Sequence, residues 1–261
     1  MTAEVPTAAT PPLSRRLVAE LLGTGLLVTA VVGSGIAASR LSPNDTGLQL
    51  LENSIATTFA LAVLILTFGP VSGAHFNPVV TLVDWWLRRR TGANLSGQVV
   101  GGYIAAQATG GALGAILANL MYTLPPVSWS TTTRTGPHLW LGEIVATAGL
   151  VLLIFALVRT GRQAAAPAAV GAYIGAAYWF TSSTSFANPA VTLGRAFTDT
   201  FAGISPASTP PFIAAQLVGA AAGTALLAVL YPRTEHAHAA KASNGHPHAR
   251  EGSARSDPIG R

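Results

Sequence analysis

Asn77-Pro78-Val79-Val80-Thr81-Leu82 and, 111 residues further on, Asn188-Pro189-Ala190-Val191-Thr192-Leu193 are two versions of one hexapeptide. Each opens with residues that begin helices well. Asparagine caps free backbone N–H groups with its side-chain oxygen, and proline loses nothing at the first helical position, where its missing N–H would have no partner. Flexible stretches precede both, Ser72-Gly73-Ala74 and Ser182-Ser183-Thr184-Ser185. Only about two or three helical turns fit before Arg88 in the first case and Asp199 in the second. The expectation is a pair of half-helices that enter a bilayer without crossing it.

Working outward, the surroundings repeat too. Glu20 is answered by Glu143, and Ile104-Ala105-Ala106-Gln107 by Ile213-Ala214-Ala215-Gln216. Apolar segments lie at about 17–38, 54–68, 99–121, 139–158, 170–180 and 212–231. Several reach the roughly 20 residues that span hydrocarbon. Three spans and one Asn-Pro segment therefore make each half. An odd number of spans turns the second half over, which gives inverted repeats with functional features at mid-depth. The expected fold is an all-α membrane protein of six transmembrane helices plus two re-entrant half-helices. Its organisation is an N-terminal tail 1–12, a channel domain 13–232 (repeats 13–121 and 139–232, outer linker 122–138) and a His-containing tail 233–261. Both tails are too polar, small-residued or Pro-rich to bury a core, so they are expected to be disordered. His236, His238, His246 and His248 admit weak metal binding or a plain solvated tail.

Composition agrees with a lipid environment. Half of the 261 residues are hydrophobic and only 10% are charged, against about 25% charged in soluble domains. A closed β-barrel, the other structure that lipid tolerates, needs a period-2 alternation that is missing here. Segment 17–38 follows Arg15 and Arg16, as a signal peptide would. It is longer than an apolar signal core and has no convincing cleavage site, so it reads as the first membrane helix. With both termini cytoplasmic, the inner side receives Arg15, Arg16, Arg88, Arg89, Arg90, Arg159, Arg162 and Arg233, while the outer side receives Arg40 and Arg134. That asymmetry is the positive-inside bias. It also accounts for most of the net charge of +5, so no nucleic-acid partner is inferred.

Irregular backbone at membrane depth must be wrapped by protein or line a cavity, since unpaired carbonyls cannot face lipid. The Asn-Pro loops are therefore read as pore lining, with the Asn77 and Asn188 amides donating to a passing oxygen. Positive half-helix ends beside them oppose cations. Glu20 and Glu143 lie inside apolar helices, where a lone carboxylate costs at least about 2.5–3.5 kcal/mol. They either accept from loop N–H groups or pair with each other or with solvent. His75 either lines the pore or ties its loop down. No nucleotide-binding glycine loop, metal-ligand cluster or hydrolytic carboxylate pair is present, so neither catalysis nor a cofactor or metal is expected.

Over about residues 17–231 these features resemble the major intrinsic protein family, the aquaporins and aquaglyceroporins. Carrying the resemblance are Glu20, Ser72-Gly73-Ala74-His75-Phe76-Asn77-Pro78-Val79, Asn188-Pro189-Ala190 and the Ala-Gln pairs at 106–107 and 215–216. The resemblance implies a homotetramer with one pore per subunit and passive conduction of water and small uncharged solutes. A bacterial plasma membrane is the expected location. Transferred from the two motifs without gaps, the family's selectivity filter falls on Thr57, Ala176, Ser185 and Val191. Val191 stands where family members carry an arginine, and Val79 replaces the first motif's alanine. The implied aperture is wide, suiting glycerol-like polyols, urea or undissociated metalloid acids such as arsenite. Arg195, four residues after Val191, either leans over this aperture or pairs with Asp199. A gradient-coupled secondary transporter also uses inverted repeats and broken helices, but the twin capping motifs and the lack of a central ion-coupling carboxylate disfavour it.

The chain has no cysteine. Mercurials should therefore leave solute flux in reconstituted vesicles unblocked by covalent thiol modification; lasting inhibition that excess thiol reverses would contradict this.

Overall fold

The computed structural model describes residues 10–90, 92 and 96–232; tail 233–261, with its histidines, and most of tail 1–12 lie outside them. Regular structure among the described residues is helical: α1 (Leu13–Leu41), α2 (Thr46–Ser72), α3 (Pro78–Arg89), α4 (Gly97–Met121), α5 (Pro137–Arg159), α6 (Ala166–Phe180), α7 (Pro189–Gly194) and α8 (Thr209–Leu230), with short 3-10 turns between some of them. Helices α1, α2, α4, α5 and α8 with its leading turn are long and apolar enough to cross a membrane. Helix α6, the remaining span, has only 15 residues and is led in by a 3-10 turn, Gln163–Ala165.

The helices overrun the apolar segments. Helix α2 begins eight residues before 54 because its polar first turns are satisfied internally. Asp45 caps it by accepting from the Leu48 N–H at 2.9 Å, and the buried Asn53 amide donates to Val31 O and Ser34 Oγ, both at 2.8 Å. Helix α5 starts at Pro137, so the linker expected at 122–138 ends at Gly136.

The two half-helices differ in length. Helix α3 has 12 residues and α7 has 6, after which the chain tightens into a 3-10 turn at Arg195–Phe197. At about 1.5 Å per residue neither crosses hydrocarbon. Both start as the hexapeptides require: Asn77 Oδ1 accepts from Val79 N–H at 3.1 Å, and Asn188 Oδ1 from Ala190 N–H at 2.9 Å.

Packing follows one plan in both halves, with α1 lying along α4 and α5 along α8. Small residues set the separation. A Cβ at Gly114 would strike the Gly25 carbonyl, and one at Gly223 the Ala148 carbonyl. Gly111 of α4 and Gly194 of α7 bring their backbones together, locking the second half-helix against the bundle. Gly97 and Gly101 have nothing within 4 Å of a built Cβ, so they play no such part within the chain. On the outside, α2 presents Ile55, Phe59, Val63 and Leu66, a helical stripe of exposed apolar side chains suited to lipid.

Gly114→Val should lower the melting temperature of the detergent-solubilised protein, since overpacking costs typically 1–3 kcal/mol or about that and here meets rigid backbone. Gly101→Ala should leave it unchanged or raise it slightly, since alanine favours a helix interior and meets nothing there; equal melting of the two variants would refute the close-packing account.

Candidate functional site

The loops before α3 and α7 share one unusual backbone. Gly73, Ala74 and Phe76 have φ of 89°, 49° and 49°, and the residues 111 positions later, Thr184, Ser185 and Ala187, have 61°, 51° and 49°. Non-glycine residues in the left-handed region cost about 1–3 kcal/mol each and persist only when their surroundings hold them. Here the surroundings are two buried carboxylates. Glu20 accepts from His75 N–H (3.0 Å), Phe76 N–H (2.7 Å), Ser72 Oγ–H (2.6 Å) and the Gln107 amide (2.8 Å). Glu143 accepts from Phe186 N–H and Ala187 N–H, both at 2.8 Å, and from the Gln216 amide at 2.6 Å. Of the two sequence-based alternatives, support of the loop backbone is the one the geometry displays.

These bonds orient the opposite side of each peptide. In a trans peptide the carbonyl points away from the following N–H, and no cis bond interrupts either described loop. Pulling the N–H groups of His75 and Phe76 toward Glu20 turns the Ala74 and His75 carbonyls away from it. The Ser185 and Phe186 carbonyls turn away from Glu143 by the same constraint. All four residues line a single cavity of about 320 Å³. It runs from Arg88, Asp84 and Gln163 at one end, past Asn77 and Asn188, to Thr57, Tyr178 and Arg195 at the other.

At its middle the two loops clasp. The Asn77 amide donates to Ala187 O at 2.8 Å and the Asn188 amide donates to Phe76 O at 2.7 Å. Each amide has a second hydrogen, and both asparagines line the cavity. Behind them, the Gln107 amide also reaches Thr81 Oγ1 (3.0 Å) and the Gln216 amide reaches Thr192 Oγ1 (2.8 Å). Each glutamine thereby ties a half-helix to its loop carboxylate. Gln107 and Gln216 were visible as repeated letters, and Thr81 and Thr192 stand at matching places in the hexapeptides. Their shared role needs three segments brought together and could not be read from any one of them.

Several expected positions shift. Thr57, Ser185, Val191 and Arg195 line the cavity, but Ala176 does not: it is exposed on the far side of α6, which turns Ile174 and Tyr178 inward. Tyr178 Oη shares a hydrogen bond with Thr57 Oγ1 at 3.1 Å. Gapless counting missed it because the length of extended chain between α6 and Asn188 is set by the fold. Val79 is fully buried in a cluster with Val83, Leu87 and Val151, so its extra methyl groups pack behind α3 rather than beside the lumen. Pro78, Pro189 and Ala190 are likewise buried outside the lining and serve as helix starts. His75 does both things proposed for it, lining the cavity and meeting Thr81 Oγ1 at 3.1 Å.

Arg195 does not pair with Asp199. That carboxylate accepts from Thr131 N–H at 2.9 Å and Thr131 Oγ1–H at 3.0 Å, pinning the linker before α5 to the loop after α7. Arg195 is instead 3% exposed, its Nε donates to the Ala202 carbonyl, and its guanidinium lies 3.4 Å from the Phe186 ring centroid.

A lumen in a helical bundle, walled on one side by oriented peptide carbonyls and flanked by two re-entrant half-helices, defines a membrane channel. Comparison with known proteins agrees. The sequence profile of the Major intrinsic protein family matches residues 7–185 and 169–254. The aquaglyceroporin AqpS of Rhizobium meliloti is 53% identical over 215 residues, 82% of this chain and 89% of that one. The probable aquaporin AqpM of Archaeoglobus fulgidus is 31% identical over 82% of this chain and 95% of its own. Among solved structures, the aquaglyceroporin from Plasmodium falciparum shares the fold with a TM-score of 0.61 at 20% identity, covering 84% of this chain and 96% of that one. The chain belongs to the major intrinsic protein family; it is a passive channel for water and small solutes, and not an enzyme.

Glu143→Gln would keep one accepting oxygen and set amide hydrogens against the loop N–H group, Phe186 or Ala187, that faced the other. Each charge-assisted bond lost is worth about 1.5–3 kcal/mol, so the variant should melt earlier and conduct little; wild-type flux and melting would remove Glu143 from its supporting role.

Proposed function

We propose that the channel passes solutes larger than water, namely glycerol-like polyols, urea and undissociated metalloid acids. The observation that carries this reading is that Val191 lines the lumen, at the place where the family resemblance expects arginine, with the small Ser185 also in the lining. The lumen is two-faced. Leu61, Ile65, Leu150, Ile154 and Ile174 form an apolar wall, while the Asn77 and Asn188 amides and the loop carbonyls form a polar rail. A polyol lays hydroxyls on such a rail and C–H edges on such a wall, so it exchanges hydrogen bonds without stranding polar groups. Neutral metalloid hydroxides imitate polyols in size and hydrogen bonding. The printed name of the Rhizobium relative, an aquaglyceroporin, points the same way.

The finer features of the reading are these. Repeats 13–121 and 139–232 act as inverted halves, both termini are cytoplasmic, and the Arg195 end of the lumen opens outward. The subunits assemble as homotetramers in a bacterial plasma membrane, each with its own pore. Flux is uncoupled from ion gradients, as a fixed lumen with clasped loops requires.

Stopped-flow swelling of vesicles carrying the purified chain tests this across water, glycerol, urea and arsenous acid. Glycerol should pass at rates well above empty vesicles and should be indifferent to proton or sodium ionophores. Val191→Arg should cut glycerol permeability at least about tenfold while leaving water flux measurable, roughly 1.4 kcal/mol of added barrier. Unchanged glycerol flux in that variant would show that position 191 does not set the aperture.

A further inference from the structure

Helix α3 closes on three consecutive arginines, Arg88, Arg89 and the capping Arg90, and the helical repeat gives each a neighbour four residues back. Arg88 meets a carboxylate there: its Nε donates to the two oxygens of Asp84 at 2.9 and 2.8 Å. Arg89 and Arg90 meet indole rings instead. Their guanidinium carbons lie 4.7 Å from the Trp85 ring centroid and 4.1 Å from the Trp86 ring centroid. A ring face holds a guanidinium in place without occupying the N–H donors along its edge. Neither Arg89 nor Arg90 has an ion-pair partner among the described residues. Elsewhere in the bundle Arg16 donates to Tyr103 Oη at 2.7 Å and Arg159 to the Leu227 carbonyl at 3.0 Å, so those guanidinium groups are spent on the protein itself.

The two ring-seated arginines lie where the bundle meets lipid. Leu87 is buried in one cluster with Leu227 of α8, which brings the ends of α3 and α8 together. Outside that buried contact α8 leaves Leu226, Val229 and Leu230 exposed, and α3 leaves Trp86, Arg89 and Arg90 exposed. One end of the bundle thus carries exposed aliphatic side chains, exposed indole and exposed guanidinium groups. Those are the chemistries that match the acyl chains, the interfacial zone and the phosphate of a phospholipid.

We infer that the end of α3 is a docking site for anionic phospholipids, with Arg89 and Arg90 binding headgroup phosphates and Trp85 and Trp86 holding the two guanidinium forks in place. A guanidinium edge pairs with two phosphate oxygens at once. Consecutive residues point about 100° apart around a helix, so the two forks fan out and each reaches its own phosphate. A general surplus of positive charge on one side of the membrane asks only for a count of arginines. A site differs in that its arginines cannot be exchanged for others, and Arg15, exposed at the start of α1, is the comparison that separates the two. The inference rests on α3 ending at the membrane surface; it makes no use of the lumen.

The full chain in detergent is titrated with phosphatidylglycerol, with zwitterionic phosphatidylcholine and inorganic phosphate as the comparisons. Lipid retained in native mass spectrometry and the melting temperature are read. Phosphatidylglycerol should bind at least about fivefold more tightly than phosphatidylcholine and raise the melting temperature by at least about 2 °C. The double variant Arg89→Gln, Arg90→Gln should melt like the wild type without lipid and bind the two lipids alike. Arg89→Lys with Arg90→Lys should keep part of the preference, Trp86→Leu should weaken it about threefold, and Arg15→Gln should keep all of it. Equal binding of the two lipids by the wild type overturns the inference. So does a preference that survives the double Gln variant, one lost equally in Arg15→Gln, or a melting shift that inorganic phosphate reproduces. Glycerol swelling of phosphatidylcholine vesicles tests the channel reading separately, and its failure would leave the lipid result standing.

Discussion

Two carboxylates in the membrane interior hold this protein in its working shape. Burying an ionised Glu costs several kcal/mol even after relaxation, and Glu20 and Glu143 are each fully buried. The cost is offset because each accepts from consecutive loop N–H groups and from a glutamine amide of another helix. The same bonds hold left-handed backbone at non-glycine residues and turn the opposite carbonyls toward the lumen. Removing the carboxylates would leave the loops neither a reason to adopt that conformation nor a partner for their N–H groups.

Around this constraint the rest of the bundle arranges itself. Glycines at positions 110 and 114 let α4 lie close along α1, and those at 219 and 223 let α8 lie close along α5, which holds the Gln107 and Gln216 amides against the carboxylates of those neighbouring helices. The half-helices can point at one another only if the amides of their capping asparagines find acceptors across the gap, which Phe76 O and Ala187 O supply. Conduction then follows from chemistry already spent on stability, since the carbonyls that face the lumen are those the carboxylates turned away. The linker before α5 completes the structure by pinning the loop after α7, with Asp199 held by Thr131 and Arg134 bonded to Gly203. That leaves Arg195 to the lumen.

Legibility in the sequence followed the range of the interaction. Helix starts at Pro78 and Pro189 are local, and so are the apolar stretches of α1, α4, α5 and α8. The repeated Glu and Gln landmarks showed that both halves share one plan. Positions on α6 were harder: Ala176 was expected at the filter, while Tyr178 is the residue that faces Thr57. The rotation of a helix about its axis depends on the chain that enters and leaves it, here a 3-10 lead-in and an extended loop whose lengths no local pattern states. The burial of Val79 away from the lumen was out of reach for the same reason, because which face of α3 meets the core is decided by α5 and α8.

By itself, then, the amino-acid order determined the lipid-facing composition, the two capped half-helices, the inverted repetition and the identity of the loop-supporting carboxylates, because each is written in contiguous residues or in identical letters at a constant offset. Tertiary structure alone decided which side chains share the lumen, that Asp199 belongs to the linker rather than to Arg195, and that Arg195 ends buried over Phe186. Those outcomes arise from competition among partners distant in the chain, and a hydrogen-bond acceptor is claimed by whichever donor the packed helices bring within reach.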